Sequence, residues 1–199
     1  MSAKRPSAKP SDAYHHGDLR SALIAAAREA LETTPPDQVT LKSLATRLGV
    51  SQPAPYRHFA NRDALLAAVA ADGFVRFREA LMASTEESPS GEAFERSGLA
   101  YLEFGRRNMG VYRLMFASKI PVTADDEALE QAGTAAFNIL LHSVEPHVPP
   151  GKAPVIAIWI WSTLHGLVML EAEGLNGGPL HTVSPGDVVR QMARSFGQG

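Results

Sequence analysis

Apolar residues return at helical intervals along almost the whole chain. From Gly17 onward, Leu19, Leu23, Ala26, Ala27, Ala30 and Leu31 share one helix face, which "TTPPDQ" ends. Leu41, Leu44, Ala45 and Leu48 make a second, short stripe, with Thr40 placed to cap it. A long stripe of Leu66, Val69, Ala70, Phe74, Phe77 and Leu81 predicts a helix from about Arg62 to Met82, broken by "SPSGE". Phe94, Gly98, Tyr101, Leu102 and Gly105 line the next helix, and "NMGVYRLMFAS" makes a short apolar one. Leu129, Ala132, Gly133, Ala136, Phe137, Leu140 and Val144 line another, opened by Thr123 with Asp126 at capping-box spacing. "PHVPPGKAP" reads as a turn.

Residues 155–173, "VIAIWIWSTLHGLVMLEAE", depart from this grammar. They are apolar on nearly every face, which predicts a helix buried all round. After the loop "GLNGGPLHTVSPGD", Ser184-Pro185 opens a last helix carrying Val188, Val189, Met192 and Phe196. No segment shows the two-residue period of a strand, so the expected fold is all-α with about nine helices. Residues 17–62 form three short helices around a core too small for ample stability alone, and residues 63–199 form a larger helical body. Residues 1–16 are rich in Ser, Pro, Ala and Lys without periodicity and read as a disordered basic arm.

One stretch inside the first unit carries chemistry. "TLKSLATRLGVSQPAPYRHF" has the pattern of a helix-turn-helix: Leu44, Ala45 and Leu48 pack inward, Gly49 turns, Val50 plugs the corner and Ser51 caps the second helix. That second helix holds two prolines. Pro53 falls in the first turn, where its missing N–H has no intrahelical partner to lose. Pro55 forfeits the first hydrogen bond and disfavours helical backbone at Ala54. The expectation is a short, rigid first turn with an apolar leading edge of Pro53, Ala54 and Pro55 suited to thymine methyl groups, and Gln52 as the reader of adenine. Thr40 and Ser51 at helix N-termini favour phosphate. Lys42, Tyr56, Arg57, His58 and Arg62 add donors and charge, while Phe59 closes the core.

Charge supports a polyanion partner at this end. The first 62 residues hold nine Lys and Arg against five Asp and Glu, while the remainder holds ten against sixteen. The 199 residues contain no Cys, which excludes disulfides and thiolate metal sites and fits the cytoplasm. No uninterrupted apolar run is read as long enough to span a membrane, and no signal-peptide core is evident near the start.

At this point the chain resembles the TetR family of bacterial regulators. Leu44-Ala45, Gly49-Val50-Ser51, Tyr56, His58-Phe59, Arg62 and Leu65 match its DNA-binding signature, with Arg62 where lysine is usual and prolines where small residues are usual. "YHHGDLR" and the pattern of Trp161, His165 and Gly166 look like a subgroup of that family defined by its C-terminal domain. The resemblance implies that Tyr56, His58 and Arg62 contact the phosphate backbone and that Gln52 through Tyr56 face the groove. It also implies a homodimer through the last two helices, a duplex operator, and an internal cavity whose small-molecule effector controls DNA affinity. A helix as apolar as 155–173 independently needs a partner to cover its far face. Such a dimer would set its reading helices about 34–36 Å apart. In that picture the Arg62–Met82 helix acts as the lever, and the sequence leaves open whether the effector weakens or strengthens DNA binding.

Candidate pocket residues are Phe104, Arg113, Met115, Phe137, Trp161, His165 and Met169. His165 either hydrogen-bonds a ligand or is a satisfied histidine beneath Trp161, with Gly166 allowing close helix approach. Phe104, Met115, Phe137, Trp159 and Met169 are residues more often found in a core than in a pocket. His142 and His147 lack metal spacing, so neither a metal nor a cofactor is expected. No nucleophile elbow or phosphate loop is present, and the chain does not read as an enzyme. The rival reading is a helical small-molecule binding or scaffolding protein that never binds an operator.

Overall fold

The computed structural model describes residues 19–86, 92–116, 126–174 and 182–196. The expected basic arm, "YHHGD", Thr123 and most of the loop after Gly174 lie outside the described residues. Within them the chain is all-helical: α1 (Leu19–Leu31), α2 (Leu41–Arg47), α3 (Arg62–Ala83), α4 (Ala93–Arg107), α5 (Met109–Met115), α6 (Asp126–Val144), α7 (Ala153–Ala172) and α8 (Pro185–Phe196). Two single turns of 3₁₀-helix, Pro55–Arg57 and Glu145–His147, complete the described elements.

Local chemistry sets the first helices. Thr40 caps α2 by accepting the Ser43 N–H at 3.0 Å, and the Ser43 hydroxyl returns a bond to the Thr40 carbonyl at 2.8 Å. Such a cap is worth about 1 kcal/mol. At the other end Gly49 takes φ +67°, while Gly49 N–H reaches Thr46 O and Val50 N–H reaches Ala45 O. This left-handed turn closes the orphan carbonyls of α2 and aims the chain into the next segment. Leu23, Ala27, Val39, Leu44 and Phe59 are buried between these elements. The Arg20 guanidinium lies 5.2 Å from the centre of the Phe59 ring.

The expected ninth helix is absent among the described residues. In its place stands the 3₁₀ turn Pro55–Arg57. Pro55 has no N–H for the Ser51 carbonyl, which accepts from Ala54 N–H at 3.0 Å instead. Arg57 N–H then bonds Ala54 O and His58 N–H bonds Pro55 O at three-residue spacing, before Phe59 N–H shares the Pro55 carbonyl at 3.0 Å. Ala54 caps the turn with no side-chain bond, so the expected Ser51 hydroxyl cap is replaced by this backbone ladder.

Beyond it, α3 is the spine of the molecule. Ala64 through Ala70 are all buried, because α3 packs on α1 at one end and on α4, α5 and α6 further along. Its start is fixed by Asn61, whose side chain accepts the Ala64 N–H at 2.9 Å. Arg28 of α1 pairs with Asp72 of α3 at 3.0 Å. The crossing of α5 over the end of α1 is close: a Cβ added at Gly110 would collide with the Leu31 carbonyl.

Two expectations for α7 need correction. It is not buried all round within one chain: Val155, Trp159, Ile158 and Leu170 are 68%, 51%, 47% and 40% exposed. Packing against α4 and α6 covers only one side of it. At 20 residues it is also long and apolar enough to cross a membrane by length and composition, contrary to the expectation that no such run exists. Buried positions Ala157, Ile160, Leu164 and Val168 fix it in the bundle instead. Gly166 faces open space rather than an approaching helix of the same chain.

Candidate nucleic-acid interface and apolar cavity

The helix-turn-helix presents one exposed strip. Thr40, Lys42, Ser51, Gln52, Pro53, Tyr56, Arg57, His58 and Arg62 are exposed, Tyr56 by 56%, while Ala54 is half-buried. Pro55, grouped by sequence with the groove-facing residues, is buried; its ring is part of the floor on which the strip rests. Several of the strip's side chains are already held. The Gln52 amide donates to Thr46 Oγ1 at 3.1 Å, and that hydroxyl donates to the Lys42 carbonyl at 3.2 Å. Arg62 donates to the Asp37 carbonyl at 3.2 Å and lies 3.4 Å from the Asp63 carboxylate. Arg47 pairs with Glu29 at 2.6 Å. Lys42 and Arg57 stand outside the ion pairs formed among the described residues, so they carry the strip's uncommitted positive charge.

A second feature lies inside the body. A cavity of about 400 Å³ opens among α3, α4, α6 and α7. Its wall is mainly aromatic: Phe74 and Phe77 from α3, Tyr101 from α4, Phe116, Phe137 from α6 and Trp161 from α7. Phe137 and Trp161 are thus the two predicted pocket residues that line it. Phe104 and Met115 are buried in the surrounding core. Arg113 is half-exposed and pairs with Glu173 at 2.7 Å, and Met169 is partly buried without reaching the cavity wall. Tyr101 was recognisable only as a helix-lining residue, and in "VYRLMF" the tyrosine matters where the arginine drew attention. Helical spacing shows that such residues face inward, not what they meet there.

His165 does not line the cavity but is wired to it. Its Nδ1 lies 2.7 Å from the Tyr112 hydroxyl, which lies 2.9 Å from the Tyr101 hydroxyl. Burial holds Tyr101 up at about 12 and pushes Tyr112 higher still, so both phenols keep their protons. Burial lowers the pKa of His165 and favours its neutral ring. The rings of Tyr112 and Phe116 hold the imidazole at centroid distances of 5.4 and 4.8 Å.

Comparison with known proteins agrees with this geometry. A family model described as a tetracyclin repressor-like C-terminal domain matches residues 94–196, and the model of bacterial regulatory proteins of the tetR family matches residues 23–69. A solved protein of unknown function from Rhodococcus sp. RHA1 is 33% identical, with a TM-score of 0.78 over 94% of this chain and 98% of that one. An uncharacterised HTH-type transcriptional regulator of Mycobacterium tuberculosis is 26% identical over 78% of this chain and 71% of its own length. The class D tetracycline repressor protein of Escherichia coli is 32% identical over 46% of this chain and 44% of its own length. Matched at its helix-turn-helix and over more than half its length in the body, the chain belongs to the TetR family and is a ligand-responsive, DNA-binding transcriptional regulator.

Proposed function

We propose that this regulator is a cytoplasmic homodimeric repressor of a pseudo-palindromic operator, with residues 17–62 binding DNA and residues 63–199 binding the effector and the second copy. The observation that carries the reading is the exposed strip from Gln52 to His58, set on a capped and packed helix-turn-helix. Tyr56, Arg57 and His58 contact phosphates, with Thr40, Lys42 and Ser51 beside them, and Gln52, Pro53 and Ala54 meet base edges. Arg62 reaches DNA only by exchanging its bond to the Asp37 carbonyl for a phosphate. Dimerisation through α7 and α8 covers the exposed apolar face of α7 and spaces the two strips. Effector in the cavity shifts α3 and changes that spacing. No enzymatic activity is assigned.

The test is selection of duplexes from random DNA by the purified protein, followed by a salt titration. Two-fold symmetric sites are expected, with affinity falling linearly in log–log form as salt rises. Tyr56→Phe, Arg57→Ala and His58→Ala each weaken binding, and Arg57→Ala lowers the slope by about 1. A salt-insensitive interaction, or no retention on any duplex, rejects the reading in favour of a binding or scaffolding protein.

A further inference from the structure

Among the described residues, no Asp, Glu, Lys, Arg or His lines the cavity. An ion against this described wall would lose its hydration without a countercharge, which favours an uncharged occupant. Thr134 and Ser143 are exposed residues at the rim, and the Ser143 hydroxyl already donates to the Leu140 carbonyl at 2.7 Å. Ser97 adds a half-buried hydroxyl to the wall, and Tyr101 is its buried one.

Counting protons along the chain Tyr101, Tyr112 and His165 restricts what Tyr101 offers. Each phenol has one proton to give. When His165 carries its proton on Nε2, Tyr112 donates to Nδ1 and Tyr101 donates to Tyr112, which leaves no donor for the cavity. When Nδ1 carries the proton, every direction reverses. His165 then donates to Tyr112, Tyr112 donates to Tyr101, and Tyr101 keeps a proton that no bond among the described residues takes up. An acceptor in the cavity completes this second arrangement.

We propose that the cavity takes an uncharged, mostly apolar molecule with one carbonyl-type acceptor, which receives a hydrogen bond from Tyr101. Tyr112 and His165 set which way this proton points, toward Tyr112 or toward the occupant. The inference rests on the cavity being the effector site. At about 400 Å³ it lies near the small end of the usual range for such sites, roughly 300–1,000 Å³.

The experiment follows displacement of the uncharged dye Nile red from the purified full chain by 2-nonanone, nonane and nonanoate. The ketone is expected to bind roughly three- to tenfold more tightly than the alkane, the advantage of one net hydrogen bond, and nonanoate most weakly. Tyr101→Phe abolishes the ketone's advantage and leaves the alkane unchanged. Tyr112→Phe preserves that advantage, because the Tyr101 proton is then free. In ¹⁵N spectra the ketone, but not the alkane, moves His165 from the Nε2–H to the Nδ1–H form. Retention of the preference in Tyr101→Phe, equal loss in both variants, an unmoved His165, or tight nonanoate binding overturns the proposal and leaves the cavity as an effector site. Failure of Nile red and all three compounds to bind overturns the effector-site reading itself.

Discussion

At Gly49 the backbone sits at φ +67° with nothing within 4 Å of where a Cβ would be. A side chain there meets no neighbour, so its penalty is purely conformational. Gly49→Ala is expected to lose about 1 kcal/mol in denaturant unfolding. His165 carries a second residue-scale prediction. Its folded pKa lies below the ordinary 6.5, so on acidification the unfolded chain takes up this proton first. The contribution is complete above about pH 6.5 and is lost as pH falls toward the folded value. Comparing unfolding midpoints at about pH 7.5 and about pH 5 should therefore show a smaller decline for His165→Asn than for the parent chain.

Among the elements, the reading segment shows most clearly what linear patterning can deliver. Its corner was legible: Thr40, Leu44, Gly49 and Val50 each stand in the local role their residue type suggests. The lost bond at Pro55 was also foreseeable, because a missing donor is a covalent fact, but the non-helical backbone expected at Ala54 is not found: it sits at φ −60° and ψ −44°. The extent of the change was not foreseeable. Whether one lost bond leaves a distorted helix or a single 3₁₀ turn depends on how Pro55 and Phe59 settle into the core beneath. The start of α3 carried an overlooked signal in Asn61, directly before Arg62. Asn61→Ala removes the acceptor for Ala64 N–H and should cost about 1 kcal/mol, measured by chemical denaturation. The cavity wall was less legible, since Phe74, Tyr101 and Phe137 are far apart in sequence and meet only when α3, α4 and α6 pack. The membrane-length character of α7 likewise reflects the bundle's need for an apolar centre and an apolar outer face.

For the whole molecule, that outer face makes oligomeric state the decisive variable. Val155 and Leu170 are exposed in the single chain, so charges placed there hardly disturb its fold. Val155→Glu with Leu170→Glu should give a folded monomer by sedimentation, with DNA affinity reduced more than tenfold because one half-site is lost. Where α5 crosses α1, Gly110→Ala pushes against the Leu31 carbonyl and should destabilise by roughly 1–3 kcal/mol in thermal unfolding. In the free chain the bond from Arg62 to the Asp37 carbonyl and the Arg28–Asp72 pair tie the first stretch of α3 to the helix-turn-helix. The Arg28–Asp72 pair remains when Arg62 turns to a phosphate, and the buried run from Ala64 to Ala70 holds the same root by packing. On the proposed mechanism, a tilt begun deep in the bundle would carry the gripping head with it as one piece.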